Sequence, residues 1–261
     1  MSLADIVTTK HELRPPLGIV HGGPGVGKTH LGSTLPKPIF MLTEPGLGKI
    51  QVDAIKPEQN TTWDDFMANL EKIRTEKHDY KSLIVDSLDW LQPLCHDKTC
   101  KEMGYASIES AGYGKGFTES LKFWRQYIDL LNRIRDERKM TILQLAHSQV
   151  KRFEPPEGES YDRWELKLDK KVGELMLEHV DFCFYAAYET GVAQEKGSNG
   201  KLVSKTRTSK RRICHTTWKP AWVAKNRYNL PEVLDMDWPV IRSAIIGEAS
   251  ESKAKAKDES S

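Results

Sequence analysis

The chain has 261 residues, 38% of them hydrophobic, with 39 basic and 37 acidic side chains and a formal net charge of +2. This length suits one large α/β domain with a substantial core. No run approaches the ~20 apolar residues that a membrane span needs, and the N-terminus lacks a basic-then-apolar secretion signal. We therefore expect a cytoplasmic protein without membrane contact, whose nucleic-acid sites, if any, are local basic patches.

The first predicted strand runs directly into a phosphate-binding loop. Residues 1–16 resemble a short lead-in, and residues 17–29 read LGIVHGGPGVGKT, an apolar strand followed by G-x-x-x-x-G-K-T. Glycines let the backbone turn tightly and direct N–H groups at a phosphate. Lys28 reaches the β/γ-phosphates, the Thr29 hydroxyl binds Mg²⁺, and a helix opening at Lys28 adds its dipole. The predicted nucleotide-binding residues are Gly22, Gly23, Pro24, Gly25, Val26, Gly27, Lys28, Thr29 and His30.

Two acidic residues follow later predicted strands. Residues 37–47 read as a buried strand ending at Glu44, and the apolar run of a strand over 82–91 stops at Asp86. Between them, residues 62–78 have helical apolar spacing, with Thr61 or Thr62 as N-cap. Asp86 fits a Mg²⁺-binding Walker B position, the alternative being a helix cap. Because the following residue, Ser87, cannot act as a base, Glu44 is the candidate base; the alternative is an exposed turn residue.

Strands and helices continue to alternate toward the C-terminus. A glycine-rich loop at 101–118 precedes an amphipathic helix at 118–138 and a strand at 140–148. Residues 149–164 are polar and predict a functional loop. The later segments are a helix at 166–179, a strand at 181–189, a hairpin turn around 197–200, a strand at 211–218, and a disordered tail from 248.

This alternation predicts an α/β fold, with a mainly parallel twisted sheet, helices on both faces and a C-terminal antiparallel hairpin. The domain is expected to span residues 17–247, leaving 248–261 as tail. Cys95, His96 and Cys100 form one short cluster without a second ligand pair, which is a weak zinc pattern. We therefore interpret the four cysteines as reduced thiols.

The strand ends together resemble one family. GGPGVGKT, TEPGL, LIVDSLDWL and TILQLAHSQ are similar to the core of RecA-type recombinases and DnaB-type helicases, over about residues 14–240. The pattern is most similar to small phage-encoded RecA-like ATPases of the AAA class, some of which are Sak-type single-strand annealing and recombination proteins. The resemblance implies a RecA-like P-loop core that hydrolyses ATP with Mg²⁺.

The resemblance also implies roles for individual residues. Glu44 matches the catalytic glutamate, Asp86 and Ser87 match the Walker B pair, and His147 stands where RecA proteins place a γ-phosphate-sensing glutamine. Histidine departs from that pattern but can still donate to a phosphate oxygen. The alternative for His147 is a structural histidine at a strand end.

A basic pair near residue 226 resembles the A-K-x-R-x-x-P element of DnaB-type ATPases. There the Lys and Arg reach the γ-phosphate of a neighbouring subunit, which implies a homo-oligomeric ring or filament with Lys225 and Arg227 acting in trans. Two residues apart on an extended strand, they point to one side; the alternative is a solvated basic strand. The KNRY segment is not a guanine-reading N-K-x-D element, so ATP is favoured over GTP.

Two segments are candidates for single-stranded DNA. The loop at 101–118 offers Tyr113 and Lys115, and the segment after His147 offers Lys151, Arg152 and Phe153. Cations interleaved with aromatic rings suit sequence-tolerant binding. Acidic neighbours leave a lid or subunit contact open for the second segment. The basic run at 205–212 is a further phosphate-contact candidate, although hairpin solvation also explains it.

The leading hypothesis is an ATPase acting on single-stranded DNA in phage-type recombination or annealing. Partners would include further copies of the chain and a phage single-strand-binding protein, in the cytoplasm of a bacterial host. The alternatives are a DnaB-like helicase or translocase motor and an ATP-gated DNA-binding scaffold with slow hydrolysis.

Overall fold

A computed structural model describes residues 14–196 and 202–247 of the chain. The strands are β1 (Leu17–Gly22), β2 (Pro38–Leu42), β3 (Asp53–Ile55), β4 (Ser82–Asp86), β5 (Thr141–Phe153), β6 (Tyr161–Leu166), β7 (Phe182–Lys196), β8 (Leu202–His215), β9 (Lys225–Asn226) and β10 (Val233–Asp235). The helices are α1 (Lys28–Ser33), α2 (Trp63–Thr75), α3 (Leu88–Met103), α4 (Lys115–Glu137), α5 (Lys170–His179) and α6 (Trp238–Ile246).

The strands form one mostly parallel sheet in the order β10-β8-β7-β1-β5-β4-β2-β3. The six neighbouring strands β7, β1, β5, β4, β2 and β3 all run parallel to one another. At the other end of the sheet, β8 runs antiparallel to β7, and β10 runs antiparallel to β8. The predicted α/β fold with a C-terminal antiparallel hairpin is confirmed. Because β1 runs parallel to its neighbours β5 and β7, the loop that follows β1 leaves the sheet at the edge where all three strands have their carboxyl ends.

Helices cover both faces of the sheet. On one face, α2 to α5 bury a core that includes Phe66, Trp124 and Tyr127, each no more than 1% exposed. On the other face, α1 and α6 pack Leu31 and Ile241 against the strands. Burying each such side chain is worth about 1.5–3 kcal/mol, so both layers hold the strand ends in place.

The helix predicted over 62–78 is confirmed as α2. Thr62 is its N-cap, with a reciprocal pair of hydrogen bonds to Asp65. By contrast, the sequence does not predict α3, because residues 82–91 read as one strand and residues 101–118 as one loop. The buried stripe of α3 is narrow and includes the small or polar side chains Cys95 and Thr99, so its helical periodicity is weak.

The prediction of a loop over 149–164 is wrong. β5 continues to Phe153, and β6 returns antiparallel to it, pairing 161–166 with 148–153. The two strands form a hairpin arm that carries polar residues on both faces, so its sequence resembles a loop.

Three predictions concern residues outside the described ranges. They are most of the lead-in, the turn around 197–200 and the tail from 248. The strands that flank the turn are described, and they pair antiparallel from Tyr185–His215 to Lys196–Leu202.

Candidate active site

The glycine-rich loop begins where β1 meets its two neighbours. Gly22 pairs with His147 of β5 on one side and with Ala186 of β7 on the other. A Cβ on Gly22 would lie 2.5 Å from the Ala186 carbonyl oxygen, and Gly25 and Gly27 have φ angles of +74° and +102°. Only glycine takes such angles without strain. The loop shape therefore requires glycine at these three positions.

Lys28 folds back over the loop. Its ammonium donates to the carbonyl oxygens of Gly22 at 3.1 Å and Gly23 at 3.0 Å, and the residue is 7% exposed. Burial lowers the pKa of Lys28, while nearby Asp86, Asp89 and Glu44 act in the opposite direction. A cation held at the mouth of the loop is placed to meet an incoming phosphate.

Asp86 and Thr29 form the candidate magnesium site. The Thr29 hydroxyl donates to Asp86 Oδ2 at 2.8 Å, joining the start of α1 to the end of β4. Burial raises the pKa of Asp86 because its charge is desolvated. A carboxylate and a hydroxyl fit Mg²⁺, which takes few protein ligands and completes its shell with phosphate and water oxygens. Within the described residues, no group of three His, Cys, Asp or Glu side chains is arranged as a metal site.

Glu44 lies beside this site. The sequence predicts Glu44 as the last residue of its strand, but β2 ends two residues earlier, at Leu42. Oε1 of Glu44 accepts from the Ser87 hydroxyl at 3.0 Å. The Thr43 hydroxyl accepts from the Ser87 N–H and donates to the Ser87 carbonyl oxygen, both at 2.8 Å. These bonds tie the ends of β2 and β4 together and leave Oε2 of Glu44 without a hydrogen-bond partner in the described part of the chain.

His147 is held by a partner that the sequence did not identify. Asp89 Oδ1 accepts from the His147 N–H and Oδ2 pairs with its Nδ1, both at 2.9 Å. Burial alone would raise the pKa of Asp89, but the hydrogen bonds from His147 outweigh it and the pKa lies below its usual value. Fixing Nδ1 leaves Nε2 of His147 as the ring atom available to a ligand.

A comparison with protein-family models adds to this geometry. The model AAA_24, described as an AAA domain, matches residues 14–228, most of the 261-residue chain. The chain belongs to this AAA domain family. No curated protein matches it. The chain is therefore an AAA-type P-loop ATPase domain, and the glycine-rich loop with its buried lysine has the pattern of a phosphate-binding loop.

In this AAA domain, Lys225 and Arg227 lie far from the loop of their own chain. Lys225 donates to the carbonyl oxygens of Leu177 and Glu178, and Arg227 also donates to that of Glu178. β9 pairs with the start of β7, which is the amino edge of the parallel strands. The loop leaves the carboxyl edge, about 15 Å away at ~3.3 Å per residue. The two cations share one side, as predicted, but cannot reach the phosphates in cis.

The first predicted DNA segment is shorter than expected. α3 extends to Met103 and α4 begins at Lys115, so only residues 104–114 connect them. Tyr113 at the end of this connection is fully exposed and has a φ of +46°. Lys115 is the first residue of α4 instead of a loop residue.

The second predicted DNA segment forms the β5–β6 arm of the AAA domain. Lys151 donates to the Leu168 carbonyl oxygen at 3.1 Å, and Arg152 lies 3.8 Å from Asp162. The Arg163 guanidinium lies 4.0 Å above the Phe153 ring. A cleft of about 520 Å³ between the arm and α5 is lined by Lys151, Arg152, Phe153, Arg163 and Leu168, among others. Cations and an aromatic ring are brought together here, with acidic residues among them.

The structure brings two unpredicted residues to the phosphate loop. Arg212, which the sequence assigned to a basic run, lies against Gly27. Tyr188 donates from its hydroxyl to the Gly25 carbonyl oxygen at 3.3 Å. Both lie on the β7–β8 hairpin. No local sequence pattern predicts that this hairpin lies beside β1 in the sheet.

The described helices of this AAA domain include none that is long and apolar enough to cross a membrane.

His21, the residue before the loop, is buried as a neutral imidazole. Its Nε2 bonds to the Val223 carbonyl oxygen and its Nδ1 to the Ser148 hydroxyl, both at 2.9 Å, and burial lowers its pKa to about 4. A carbonyl only accepts, so the proton is on Nε2.

¹⁵N NMR of His21 at pH 5 should show that neutral tautomer; a protonated ring would contradict this placement. Because unfolded histidine titrates near 6.5, stability should fall by about 1.4 kcal/mol per pH unit from about 6.5 down to 4.

Proposed function

We propose that this AAA domain hydrolyses ATP and acts on single-stranded DNA in recombination or strand annealing, as its resemblance to phage-encoded RecA-like proteins implies. The observation that carries the catalytic part is the convergence of Lys28, Asp86 and Glu44 at one edge of the sheet. Hydrogen bonds support it: the Thr29 hydroxyl donates to Asp86, and Ser87, the residue after Asp86, donates from its hydroxyl to Glu44.

Binding of the triphosphate rests on the loop amides and Lys28. The ammonium exchanges its two carbonyl contacts for phosphate oxygens, a charge-assisted interaction that is roughly twice as strong as a neutral one. Thr29 and Asp86 would hold Mg²⁺, which would neutralise part of the negative charge of the phosphates. The raised pKa of Asp86 is consistent with a buried carboxylate whose charge is incompletely balanced.

Hydrolysis requires a base for the attacking water, and Glu44 fits that role. The Ser87 hydroxyl fixes one carboxylate oxygen at 3.0 Å, so the other can accept the water's proton. The ring of His147, oriented by Asp89 through Nδ1, would present Nε2 to a γ-phosphate oxygen, where charge spreads over the transferring phosphoryl group.

DNA binding is supported by the β5–β6 arm, which begins next to His147. Nucleotide contact at His147 and DNA contact at Lys151 and Arg152 would lie on one continuous strand, four and five residues apart. The exposed Arg152 and the half-buried Lys151 would bind phosphates, and the Phe153 ring, which already stacks with Arg163, would add a stacking surface for bases.

Salt dependence tests the DNA proposal. Binding to a single-stranded oligonucleotide should weaken steeply with salt, and Lys151→Ala with Arg152→Ala should lower the slope of log K against log salt by about 1.4, at ~0.7 per phosphate contact. Fluorescence anisotropy across a salt series gives this slope.

The matched control is Lys77→Ala with Lys81→Ala, two exposed lysines near the start of β4 at the opposite edge of the sheet. Its slope should equal that of the wild type. Absence of binding at low salt with ATP would eliminate the DNA-directed function and leave an ATPase that acts on another partner.

A ring or filament motor is the second candidate, favoured by the position of Lys225 and Arg227 at the edge opposite the loop. If Arg227 reaches a neighbour's phosphate, Arg227→Ala should bind ATP normally and hydrolyse it about 10³-fold more slowly. Mixing it with Glu44→Gln protein should restore activity at interfaces that pair an intact Glu44 with an intact Arg227. This result requires a head-to-tail assembly.

The complementation experiment needs two controls. Each variant alone must remain inactive at the total protein concentration of the mixture, and circular dichroism must show that Arg227→Ala is folded, because Arg227 also donates to the C-terminal end of α5. A mixture without activity, together with a monomer in solution scattering at every ATP concentration, would assign both cations to local structure.

A further inference from the structure

The β7–β8 hairpin runs beside the phosphate loop. β7 pairs with β1 as far as Ala186 and Gly22, the first loop residue, and then continues with β8 as its partner. Just beyond that point Tyr188 pairs with Arg212 across the hairpin. Directly paired residues on neighbouring strands point to the same face, so both side chains project together from the hairpin.

Both side chains reach the loop. Nη1 of Arg212 lies 2.2 Å from the position that a Cβ on Gly27 would occupy, and the guanidinium carbon lies 3.2 Å from it. The Tyr188 hydroxyl bonds to the Gly25 carbonyl oxygen at 3.3 Å. Gly27 directly precedes Lys28, so the guanidinium is placed within one residue of the loop's own cation.

Arg212 differs from its neighbour Arg211 in its partners. Arg211 points the other way and pairs with Glu189 at 2.9 Å and Asp235 at 2.6 Å. The Arg212 guanidinium is partly buried, and it has no hydrogen-bond or ion-pair partner among the residues whose side chains the structure describes, 14–191 and 209–247. A guanidinium carries five donors, and no nitrogen of the Arg212 guanidinium is both fully buried and unpaired, so its donors are accessible to a ligand.

An anionic ligand at this loop needs more positive charge than Lys28 alone supplies. Lys28 is buried among the three carboxylates of Asp86, Asp89 and Glu44, which outnumber it. A nucleoside triphosphate adds about four negative charges, of which Mg²⁺ balances two. A further cation at the loop therefore strengthens binding of the phosphates, and Lys225 and Arg227 of the same chain lie too far away.

We propose that Arg212 binds phosphate oxygens of the nucleotide in cis, while Tyr188 positions the loop through Gly25. This inference rests on the proposed ATP-binding function and deepens it, because it makes the β7–β8 hairpin part of the nucleotide site. The planar guanidinium suits paired phosphate oxygens.

Calorimetric titration with MgATP tests the assignment. Arg212→Gln should weaken binding about ten- to hundredfold, as expected for loss of hydrogen bonds to a charged group. Arg212→Lys should retain more of the affinity, because it keeps the charge without the fork. Arg211→Gln, the matched control on the same strand, should bind MgATP within about twofold of the wild type.

A second measurement needs no variant. Phenylglyoxal modifies accessible guanidinium groups, and peptide mass spectrometry of the wild-type chain reports each arginine separately. MgATP should slow modification of Arg212 several-fold and leave Arg211 unchanged. If the wild type binds no MgATP, the proposed function fails. If it binds, while Arg212→Gln binds equally well or Arg212 is modified at the same rate with and without MgATP, only this inference is overturned.

Discussion

Replacing Lys28 with alanine is expected to abolish ATP hydrolysis and to weaken ATP binding about ten- to hundredfold. The substitution removes the ammonium that now contacts Gly22 and Gly23 and would contact the β/γ-phosphates. The fold should persist, because burial already lowers the pKa of Lys28 and the buried charge is itself a cost to stability. Phosphate release, calorimetric ATP titration and thermal unfolding measure the three quantities.

Lys72→Ala is the matched control, since Lys72 is an exposed lysine on α2. It should hydrolyse ATP at the wild-type rate. The unfolding midpoint of Lys28→Ala should stay within about 4 °C of the wild type, the shift that ~1 kcal/mol produces in a domain of this size. Normal hydrolysis by folded Lys28→Ala would remove the phosphate-loop assignment.

Glu44→Gln should separate binding from hydrolysis. The amide keeps the size of the side chain and can still accept from the Ser87 hydroxyl, but it cannot take a proton from water. We expect ATP affinity close to that of the wild type and a turnover about 10²- to 10⁴-fold slower. Equilibrium binding and single-turnover hydrolysis on the same preparation distinguish these two effects.

Glu58→Gln, an exposed glutamate in the turn before α2, is the control and should leave turnover unchanged. If Glu44→Gln turns over at the wild-type rate, the base lies elsewhere. Asp89 would then be the next residue to replace, although both of its oxygens already accept from His147.

Local sequence patterns predict much of the fold. The apolar strand and glycine spacing at 17–29 predict β1 and its loop, and helical spacing with a Thr62 cap predicts α2. The limits of such patterns appear at α3, where Cys95 and Thr99 belong to the buried face. They appear again in the β5–β6 arm, whose half-buried face carries polar side chains such as Lys151 and Glu165, so polar and apolar residues do not alternate there. Sequence periodicity reports burial only where the buried face is wide and apolar.

Contacts between distant segments explain what could not be predicted at the site. His147 and Asp89 are 58 positions apart, and their pairing depends on β5 lying beside β4 in the sheet. Arg212 reaches Gly27 because β7 and β8 extend the sheet next to β1. Neither relation follows from spacing along the chain. The residues that a single motif contains were identifiable, whereas those that orient or supplement them required the strand order.

A crystal structure of the chain with Mg²⁺ and a non-hydrolysable ATP analogue tests the central claim most directly. The account predicts the triphosphate against the loop at 22–29, Mg²⁺ between Thr29 and Asp86, and a water between the γ-phosphate and Glu44. A nucleotide bound away from this loop, or no nucleotide at saturating concentration, would contradict it.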